Sequence, residues 1–176
     1  MGAVTALLLC GPRAVGKSVV GWQVYAHLAR TGAAVAYLDL AQLGFCHTDS
    51  TWLIARNLAS AWTTFRANGT QMLVLSGEVS GPAVLDSYAE ALPGIRLTVC
   101  ELRAGREALT ERILARGQGH GPPIPGDDLR GRDPDELRRI AAEAPIRRPI
   151  CDLRVDTDHR SVAEVADRVR LAWLNP

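Results

Sequence analysis

Residues 11–18 bring together the residue types that bind phosphate. The segment reads Gly-Pro-Arg-Ala-Val-Gly-Lys-Ser and matches G-x-x-x-x-G-K-[ST] at every fixed position. Lys17 is the only lysine of the chain, whose other basic residues are all arginines. A lysine kept at this one position indicates a need for a compact, flexible point charge. The spacing therefore predicts a site for nucleotide phosphates.

The elements around this phosphate-binding loop (residues 11–18) have the order that the motif requires. An apolar run over residues 3–10 predicts a buried strand, and helical spacing follows over 17–30. Backbone N–H groups would then surround a β-phosphate at a helix N-terminus. Lys17 would bridge the β- and γ-phosphates, and Ser18 would bind magnesium. The residues predicted to bind the nucleotide here are Gly11, Pro12, Arg13, Ala14, Val15, Gly16, Lys17, Ser18 and Val19.

Length and composition limit the remaining possibilities. A chain of 176 residues predicts a single domain with one well-buried core. The net charge of +1 gives no electrostatic basis for binding nucleic acid or an anionic membrane. The four cysteines form no C-x-x-C pair and have no histidine at zinc spacing, so we expect reduced thiols. The first strand leaves no room for a signal peptide and no apolar stretch reaches roughly 18 residues, which predicts a cytoplasmic protein.

Apolar strand-like runs alternate with helical patterns along the chain. This alternation predicts an α/β fold of βαβ units, with a parallel sheet covered by helices on both faces. The predicted strands are 3–10, 34–39, 71–76, 95–101 and 151–155. The predicted helices are 17–30, 50–67, 80–91, 105–116, 134–143 and 161–174.

A glycine- and proline-rich segment, residues 117–134, interrupts this pattern. Half of its residues are Gly or Pro, which excludes regular structure and predicts a mobile lid. Arginines flank it and would neutralise the charge of a moving phosphoryl group while the lid excludes water. The alternatives are a disordered insertion and a solvated basic face with Glu107 and Glu111 as partners. The predicted lid arginines are Arg112, Arg116, Arg130 and Arg132.

Asp39 ends the second predicted strand, at the edge of the sheet where ligands of open α/β sheets bind. Three roles are open to it: a place in the magnesium shell, acceptance of a proton from an attacking hydroxyl, or capping of the next helix. The third strand ends in Ser76, Gly77 and Glu78, without the acidic residue of a conventional Walker B motif. A GTPase switch or an NTP hydrolase is therefore disfavoured.

Together these motifs resemble the small P-loop kinases of the nucleoside-monophosphate-kinase, shikimate-kinase, adenylyl-sulfate-kinase and chloramphenicol-phosphotransferase group. The resemblance covers nearly the whole chain, including residues 37–39, 111–117, 155–158 and 161–165. It implies a three-layer fold with a five-stranded parallel sheet of order 2-3-1-4-5, and transfer of the γ-phosphate of ATP to a small acceptor. It also implies roles for further residues: Asp39 on magnesium or as base, Arg112 on adenine, Arg116 on the phosphates, and Asp156, Thr157 and Arg160 in the adenine loop.

Two departures from that group concern the acceptor. Shikimate-kinase-like members often have Asp-x-Asp where this chain has Asp39-Leu40-Ala41, so the second acid is missing. Either Asp39 alone is the base, or another carboxylate such as Asp49 or Glu78 reaches the site. The glycine pair that follows the third strand in shikimate kinases is replaced by Gly77-Glu78, which argues against shikimate itself.

The acceptor is predicted to bind mainly to residues 42–66, the segment that varies most with substrate in this group. Trp62 and Phe65 follow helical spacing and are better explained as core. Arg56 would grip an anionic group of the acceptor or be an ordinary surface arginine. A metal at Cys46, His47 and Asp49 is disfavoured because no strand or helix holds them together. The predicted substrate-binding residues are Asp39, Phe45, Trp52, Arg56, Ser76, Gly77 and Glu78.

The sequence hypothesis is an enzyme that uses ATP and magnesium to phosphorylate a hydroxyl of a small organic acceptor, with antibiotics and other natural products as candidates. Lys17, Asp39 and Arg116 are its predicted catalytic residues, and Ser18 and Asp39 its magnesium ligands. The alternatives are a nucleotide or adenylyl-sulfate kinase and, from another class, a non-catalytic nucleotide-binding regulatory module. The expected partner is the small-molecule acceptor, and the expected oligomeric state is a monomer or homodimer.

Overall fold

A computed structural model describes residues 4–47, 51–121, 123–143 and 151–175. Strands and helices alternate along the chain, as the sequence predicts. The strands are β1 (Thr5–Cys10), β2 (Val35–Asp39), β3 (Met72–Ser76), β4 (Arg96–Arg103) and β5 (Leu153–Asp156). The helices are α1 (Lys17–Arg30), α2 (Thr51–Ala67), α3 (Pro82–Glu90), α4 (Arg106–Gly117), α5 (Pro134–Glu143) and α6 (Val162–Leu174), with a 3-10 helix at Leu40–Gly44. Across these described ranges, no helix is both long and apolar enough to cross a membrane.

The five strands form one parallel sheet of order β2-β3-β1-β4-β5, which confirms the predicted fold class. Strand β1 lies at its centre, with Leu7 opposite Val74 of β3 and Thr98 of β4. Neighbouring strands and helices on both faces cover β1, which explains why its sequence is a continuous apolar run rather than an alternating one. The carboxyl ends of β1, β2 and β3 lie along one edge of the sheet, where the phosphate-binding loop begins.

Alternate residues of β1 enter two different cores because successive side chains of a strand point to opposite faces. Leu7 and Leu9 pack with α1 and α6, and this core includes the fully buried Trp173. Ala6 and Leu8 pack with α2 and α3 on the other face. Trp62 is buried in that second core, as its helical spacing predicts.

Two of the four cysteines belong to the interior of the sheet. Cys10 and Cys100 are buried in β1 and β4, and burial is the main reason that the pKa of each thiol rises to about 12. Cys151 is half-buried, and burial likewise raises its pKa. These thiols therefore remain protonated at neutral pH, as expected of structural rather than reactive cysteines.

A third, small core fixes the base of the lid against the rest of the molecule. It joins Ile113 of α4, Leu129 of the lid and Leu137 of α5, all of them buried. Gly117 permits this approach, since a Cβ there would lie 2.1 Å from Cδ1 of Leu137. The lid thus has a packed anchor at Leu129. Between Gly117 and Pro134 the described residues form turns and bends but no helix or strand, as the composition predicts.

Candidate active site

The phosphate-binding loop connects β1 directly to α1 through a tight series of turns. Gly11, Ala14 and Gly16 all have positive φ angles, of 137°, 59° and 105°. A Cβ on Gly11 would lie 2.4 Å from the carbonyl oxygen of Leu102, so a larger residue would not fit there. Gly16 is the N-cap of α1 and supplies no side-chain hydrogen bond to the helix. The first N–H groups of α1 therefore need another acceptor, and a phosphate is the acceptor that this geometry suits.

Lys17 lies across this loop with its ammonium group already oriented. Its Nζ donates hydrogen bonds of 3.0 Å to the carbonyl oxygens of Gly11 and Pro12. Burial lowers the pKa of Lys17, while the negative charges of Glu78 and Asp39 partly oppose that effect. The ammonium is thus held in a partly desolvated position, where its attraction to a phosphate is stronger than it would be in bulk water.

Asp39 performs one of the three roles that its position in the sequence left open, that of a cap, and its second oxygen contacts the phosphate-binding loop. Its Oδ2 accepts a 2.6 Å hydrogen bond from Oγ of Ser18, and its Oδ1 accepts a 3.1 Å bond from the amide of Ala41. Asp39 therefore caps the 3-10 helix and also reaches the phosphate-binding loop. A hydroxyl and a carboxylate in contact beside a phosphate site fit magnesium, which takes one or two protein oxygens and completes its shell with phosphate and water.

Tyr37 supports this pair from inside the sheet. Its hydroxyl donates a 3.3 Å hydrogen bond to the carbonyl oxygen of Ser18 and lies 2.8 Å from Oγ of Ser76. Burial raises the pKa of the Tyr37 hydroxyl, which keeps it a hydrogen-bond donor at neutral pH. Ser76 is fully buried, so it positions Tyr37 instead of lining the cavity.

These groups line one cavity of about 190 Å³ at the carboxyl edge of the sheet. The loop and α1 form its floor, the ends of β2 and β3 form one side, and the lid covers it. Its lining residues are Arg13, Ala14, Lys17, Ser18, Asp39, Ala41, Gln42, Gly77, Glu78, Arg116, Ile124, Pro125, Gly126, Asp128 and Leu129.

Two adjacent aspartates of the lid hold the cavity's arginines. Both carboxylate oxygens of Asp128 lie 2.6 Å from Nη2 of Arg13 in the phosphate-binding loop. Asp127 accepts a 2.7 Å hydrogen bond from Nε of Arg116. Although burial opposes its ionisation, the hydrogen bonds from Arg116 and from the amide of Leu129 lower the pKa of Asp127. One ion pair therefore ties the lid to the phosphate-binding loop and the other ties it to the end of α4, and both occupy arginines suited to phosphate.

Arg130 and Arg132 bind groups of the lid and of the start of α5. Arg130 donates a 2.9 Å hydrogen bond to the carbonyl oxygen of Gly121. Arg132 forms ion pairs with Asp128 and Glu136. In this structure neither guanidinium lines the cavity.

The residues predicted for an adenine site lie where α4 meets the loop after β5. Arg112 donates hydrogen bonds of 2.8 and 3.1 Å to Oγ1 and the carbonyl oxygen of Thr157. Thr157 is buried and in turn donates a 2.9 Å bond to the carbonyl oxygen of Arg103. Arg160 binds the carboxylate of Asp156 at 3.2 Å. The structure thus fixes Arg112 against the loop after β5, and its role on a base remains a prediction.

The predicted acceptor residues separate into two groups. Phe45 packs on the lid, since a Cβ on Gly126 would lie 2.4 Å from Cζ of the Phe45 ring. Trp52 and Arg56 are exposed on α2 and stack on each other, with the guanidinium carbon 5.3 Å from the ring centroid, outside the cavity lining. Asp49 lies outside the described residues. Within the described ranges, no group of three metal-binding side chains occurs.

Three residues at or near the cavity were not among the predicted site residues. Asp127 and Asp128 contact Arg116 and Arg13, and Gln42 lines the cavity together with Asp39. A signal for the aspartates existed, because two adjacent carboxylates in a loop flanked by four arginines must find cations nearby. The capping box of α6, in which Ser161 and Glu164 bind each other's backbone amides, was likewise readable from the sequence.

No protein-family model matches this chain, and no curated protein matches it. Solved structures do match, and they define its class of fold, that of the P-loop kinases. The chain is similar to a gluconokinase from Sinorhizobium meliloti 1021, at 20% identity and a TM-score of 0.59, over 99% of this chain and 93% of that one. It is also similar to the Mycobacterium tuberculosis APS kinase solved with AMPPNP and APS, at 22% identity and a TM-score of 0.59, over the full length of both chains.

A third similar structure is the tunicamycin resistance protein of Deinococcus radiodurans. Its identity is 13% and its TM-score 0.60, over 97% of this chain and 95% of that one. These three likenesses, at 13–22% identity, support the fold and do not identify the molecule that is modified.

Proposed function

We propose that this protein is a kinase that uses ATP and magnesium to phosphorylate a hydroxyl of a small organic acceptor. The observation that carries the proposal is the single cavity in which Lys17, the Ser18–Asp39 pair and Arg116 meet beneath a lid. A structural nucleotide site needs the loop and the lysine. A transfer site also needs a carboxylate beside the γ-phosphate position and a cover that excludes water.

The loop, Lys17 and Arg116 would hold the donor. The loop amides and the N-terminus of α1 bind the β-phosphate, and the ammonium of Lys17 turns from the carbonyl oxygens of Gly11 and Pro12 to the β- and γ-phosphates. Arg13 and Arg116 exchange Asp128 and Asp127 for phosphate oxygens. Magnesium, when bound by Ser18 and Asp39, would neutralise charge on the β- and γ-phosphates.

In the transfer step, the acceptor hydroxyl oxygen bonds to the γ-phosphorus while the bond from that phosphorus to the bridging oxygen breaks. ADP leaves with the bridging oxygen, and the hydroxyl proton passes to a carboxylate of the cavity. Of the three carboxylates in the described lining, Asp39 and Glu78 follow the ends of β2 and β3, whereas Asp128 of the lid pairs with Arg13 and Arg132, so Asp39 and Glu78 are the candidates for this. Both oxygens of Asp39 accept hydrogen bonds, from Ser18 and Ala41, which favours Asp39 as the group that orients magnesium.

An ATP-consumption screen tests the proposal. Hydroxylated metabolites, nucleosides and antibiotics would be incubated with the protein, ATP and magnesium, and new phosphate esters detected by mass spectrometry. We expect phosphorylation of at least one non-nucleotide acceptor, and none with Lys17→Ala. If only nucleotides or adenylyl sulfate respond, the nucleotide-kinase alternative is correct. Tight ATP binding with no acceptor at all would favour a regulatory module.

The pairing of Asp128 with Arg13 makes a further prediction. Asp128→Asn should tighten ATP binding about two- to fivefold, because a solvent-exposed ion pair that competes with phosphate is weakened. Calorimetric titration with AMPPNP would measure this. Asp135→Asn is the matched control, since Asp135 forms an exposed ion pair with Arg138 on α5, outside the cavity. Weaker binding by Asp128→Asn would contradict the prediction and show that the pair persists when nucleotide is bound.

A further inference from the structure

We propose that the acceptor is a polyhydroxylated molecule without an acidic group, either neutral or amino-bearing, and that Glu78 binds it. This inference rests on the proposed function and concerns the acceptor half of the same cavity. Of the two alternatives that the sequence left for Arg56, it departs from the one in which Arg56 grips an anionic group, because Arg56 lies outside the cavity lining.

The charges of the cavity are distributed unevenly. Its positive groups, Arg13, Lys17 and Arg116, all belong to the phosphate-binding loop and the base of the lid. The opposite side, formed by the ends of β2 and β3, contributes Asp39, Gln42 and Glu78. With the three cations bound to phosphates and Asp39 directed to magnesium, the charged side chains left in the described lining are Glu78 and Asp128, both carboxylates, and Gln42 adds an amide. An anionic acceptor would meet repulsion there.

Among the described residues, Glu78 is the acceptor-side carboxylate that forms no ion pair with another side chain. It follows Gly77, which is buried against Leu40 so closely that a Cβ would lie 2.8 Å from Cδ1 of that leucine. This packing fixes the backbone while the Glu78 side chain remains solvent-accessible at the cavity. No hydrogen bond to the Glu78 carboxylate is formed within the described part of the chain. Its charge acts on Lys17 and on the buried Tyr88.

The interaction of Glu78 with Lys17 weakens when the ammonium turns to phosphate. The carboxylate oxygens of Glu78 can then accept hydrogen bonds from other groups, and hydroxyl or ammonium groups of the acceptor would donate them. The arginines elsewhere in the lid do not compete, since Arg130 donates to Gly121 and Arg132 pairs with Asp128 and Glu136.

The lid adds an apolar wall opposite Glu78. Ile124, Pro125 and Leu129 line the cavity, and Phe45 closes against Gly126 beside them. A cavity that combines carboxylates and an amide with a patch of aliphatic groups on the lid, next to Asp128, suits a saturated ring, whose hydroxyls lie at its edge and whose C–H bonds face outward. Sugars and cyclitols have this distribution of polar and apolar groups.

The test uses matched sets of probes that differ only in charge. One set is D-glucose, D-glucosamine and D-gluconate, and a second is myo-inositol, streptamine and quinate. Binding of each probe to the complex of the protein with AMPPNP and magnesium would be measured by calorimetry, and phosphorylation measured separately with ATP. We expect the neutral or amino member of at least one set to bind about tenfold or more tightly than its acid.

Two variants test whether Glu78 is the residue that binds the acceptor. Glu78→Gln should weaken binding of the amino member about tenfold while leaving AMPPNP binding within about twofold of wild type. Glu90→Gln is the matched control, because Glu90 is exposed on α3 and outside the cavity lining. An unchanged ratio of amino to acidic affinity in Glu78→Gln would overturn the role of Glu78.

Different outcomes of these experiments would refute this inference and the kinase function on which it rests. Tighter binding of the acids overturns the inference and leaves the kinase proposal intact. Binding of AMPPNP without binding of any neutral or amino probe also overturns it. Failure of the wild-type protein to bind AMPPNP would instead refute the proposed function.

Discussion

Replacing Lys17 with alanine is expected to reduce phosphoryl transfer about a thousandfold while the fold remains intact. The ammonium is the only lysine side chain available and lies beside the loop carbonyl oxygens that frame the β-phosphate position. Its loss removes positive charge where charge develops in transfer. It removes only two hydrogen bonds to backbone carbonyls, so we expect the free energy of unfolding to fall by no more than about 1–2 kcal/mol. Steady-state kinetics and thermal unfolding measure the two effects.

A control substitution on the same helix tests whether the loss of activity depends on where the positive charge is removed. Arg30→Ala removes an exposed cation at the other end of α1 and should leave turnover unchanged. Turnover by Lys17→Ala equal to that of Arg30→Ala would rule out the proposed donor site.

The lowered pKa of Lys17 has a further effect: its ammonium loses its proton at a lower pH than an ordinary lysine does. ATP binding should therefore weaken as pH rises, starting below the usual lysine range.

The second large effect is expected for Asp39→Asn, with a loss of about a hundredfold or more in kcat/KM. Asparagine can keep the cap on Ala41 through its amide oxygen, so the 3-10 helix should persist. What it loses is the negative charge beside Ser18. The concentration of magnesium that gives half-maximal activity should rise in the same variant. A titration of activity against magnesium at saturating ATP measures this.

Two further variants show which role of Asp39 explains a loss of activity in Asp39→Asn. Asp86→Asn, an exposed change on α3 outside the cavity lining, should have no effect on either quantity. Glu78→Gln distinguishes the base. If Glu78 receives the proton, kcat falls with the magnesium requirement unchanged, whereas a magnesium shift confined to Asp39→Asn assigns the metal to Asp39. An Asp39→Asn enzyme with normal activity and a normal magnesium requirement would refute both roles.

The sheet could be predicted from the sequence because its signals are local. Five apolar runs of strand length alternate with helical patterns, and β1 passes directly into the phosphate-binding loop. A buried parallel strand has the same apolar character on both faces, which makes it visible without knowledge of its neighbours. The resemblance to the small P-loop kinases then gave the strand order, which the structure confirms.

The lid pairings could not be predicted, because they depend on which groups meet in space. Arg13 and Asp128 are 115 positions apart, and no local pattern relates them. For the same reason, the sequence could not show that Arg56 stacks on Trp52 instead of entering the cavity. The sequence could not decide among the three roles open to Asp39 either. The structure shows a cap on Ala41 and a contact with Ser18, each made by a different carboxylate oxygen, and the magnesium and base roles stay predictions.

The solitary lysine also gives this protein a single side-chain amine for chemical labelling, besides the α-amino group. An amine-directed acylating reagent has one side-chain target in the whole sequence, and that target is the phosphate-binding group itself. Because burial lowers the pKa of Lys17, a larger share of this amine is unprotonated at mildly alkaline pH than for an exposed lysine. Acylation that nucleotide slows would therefore report occupancy of the donor site directly, and a fluorescent acyl group at Lys17 would mark the cavity without any substitution in the chain.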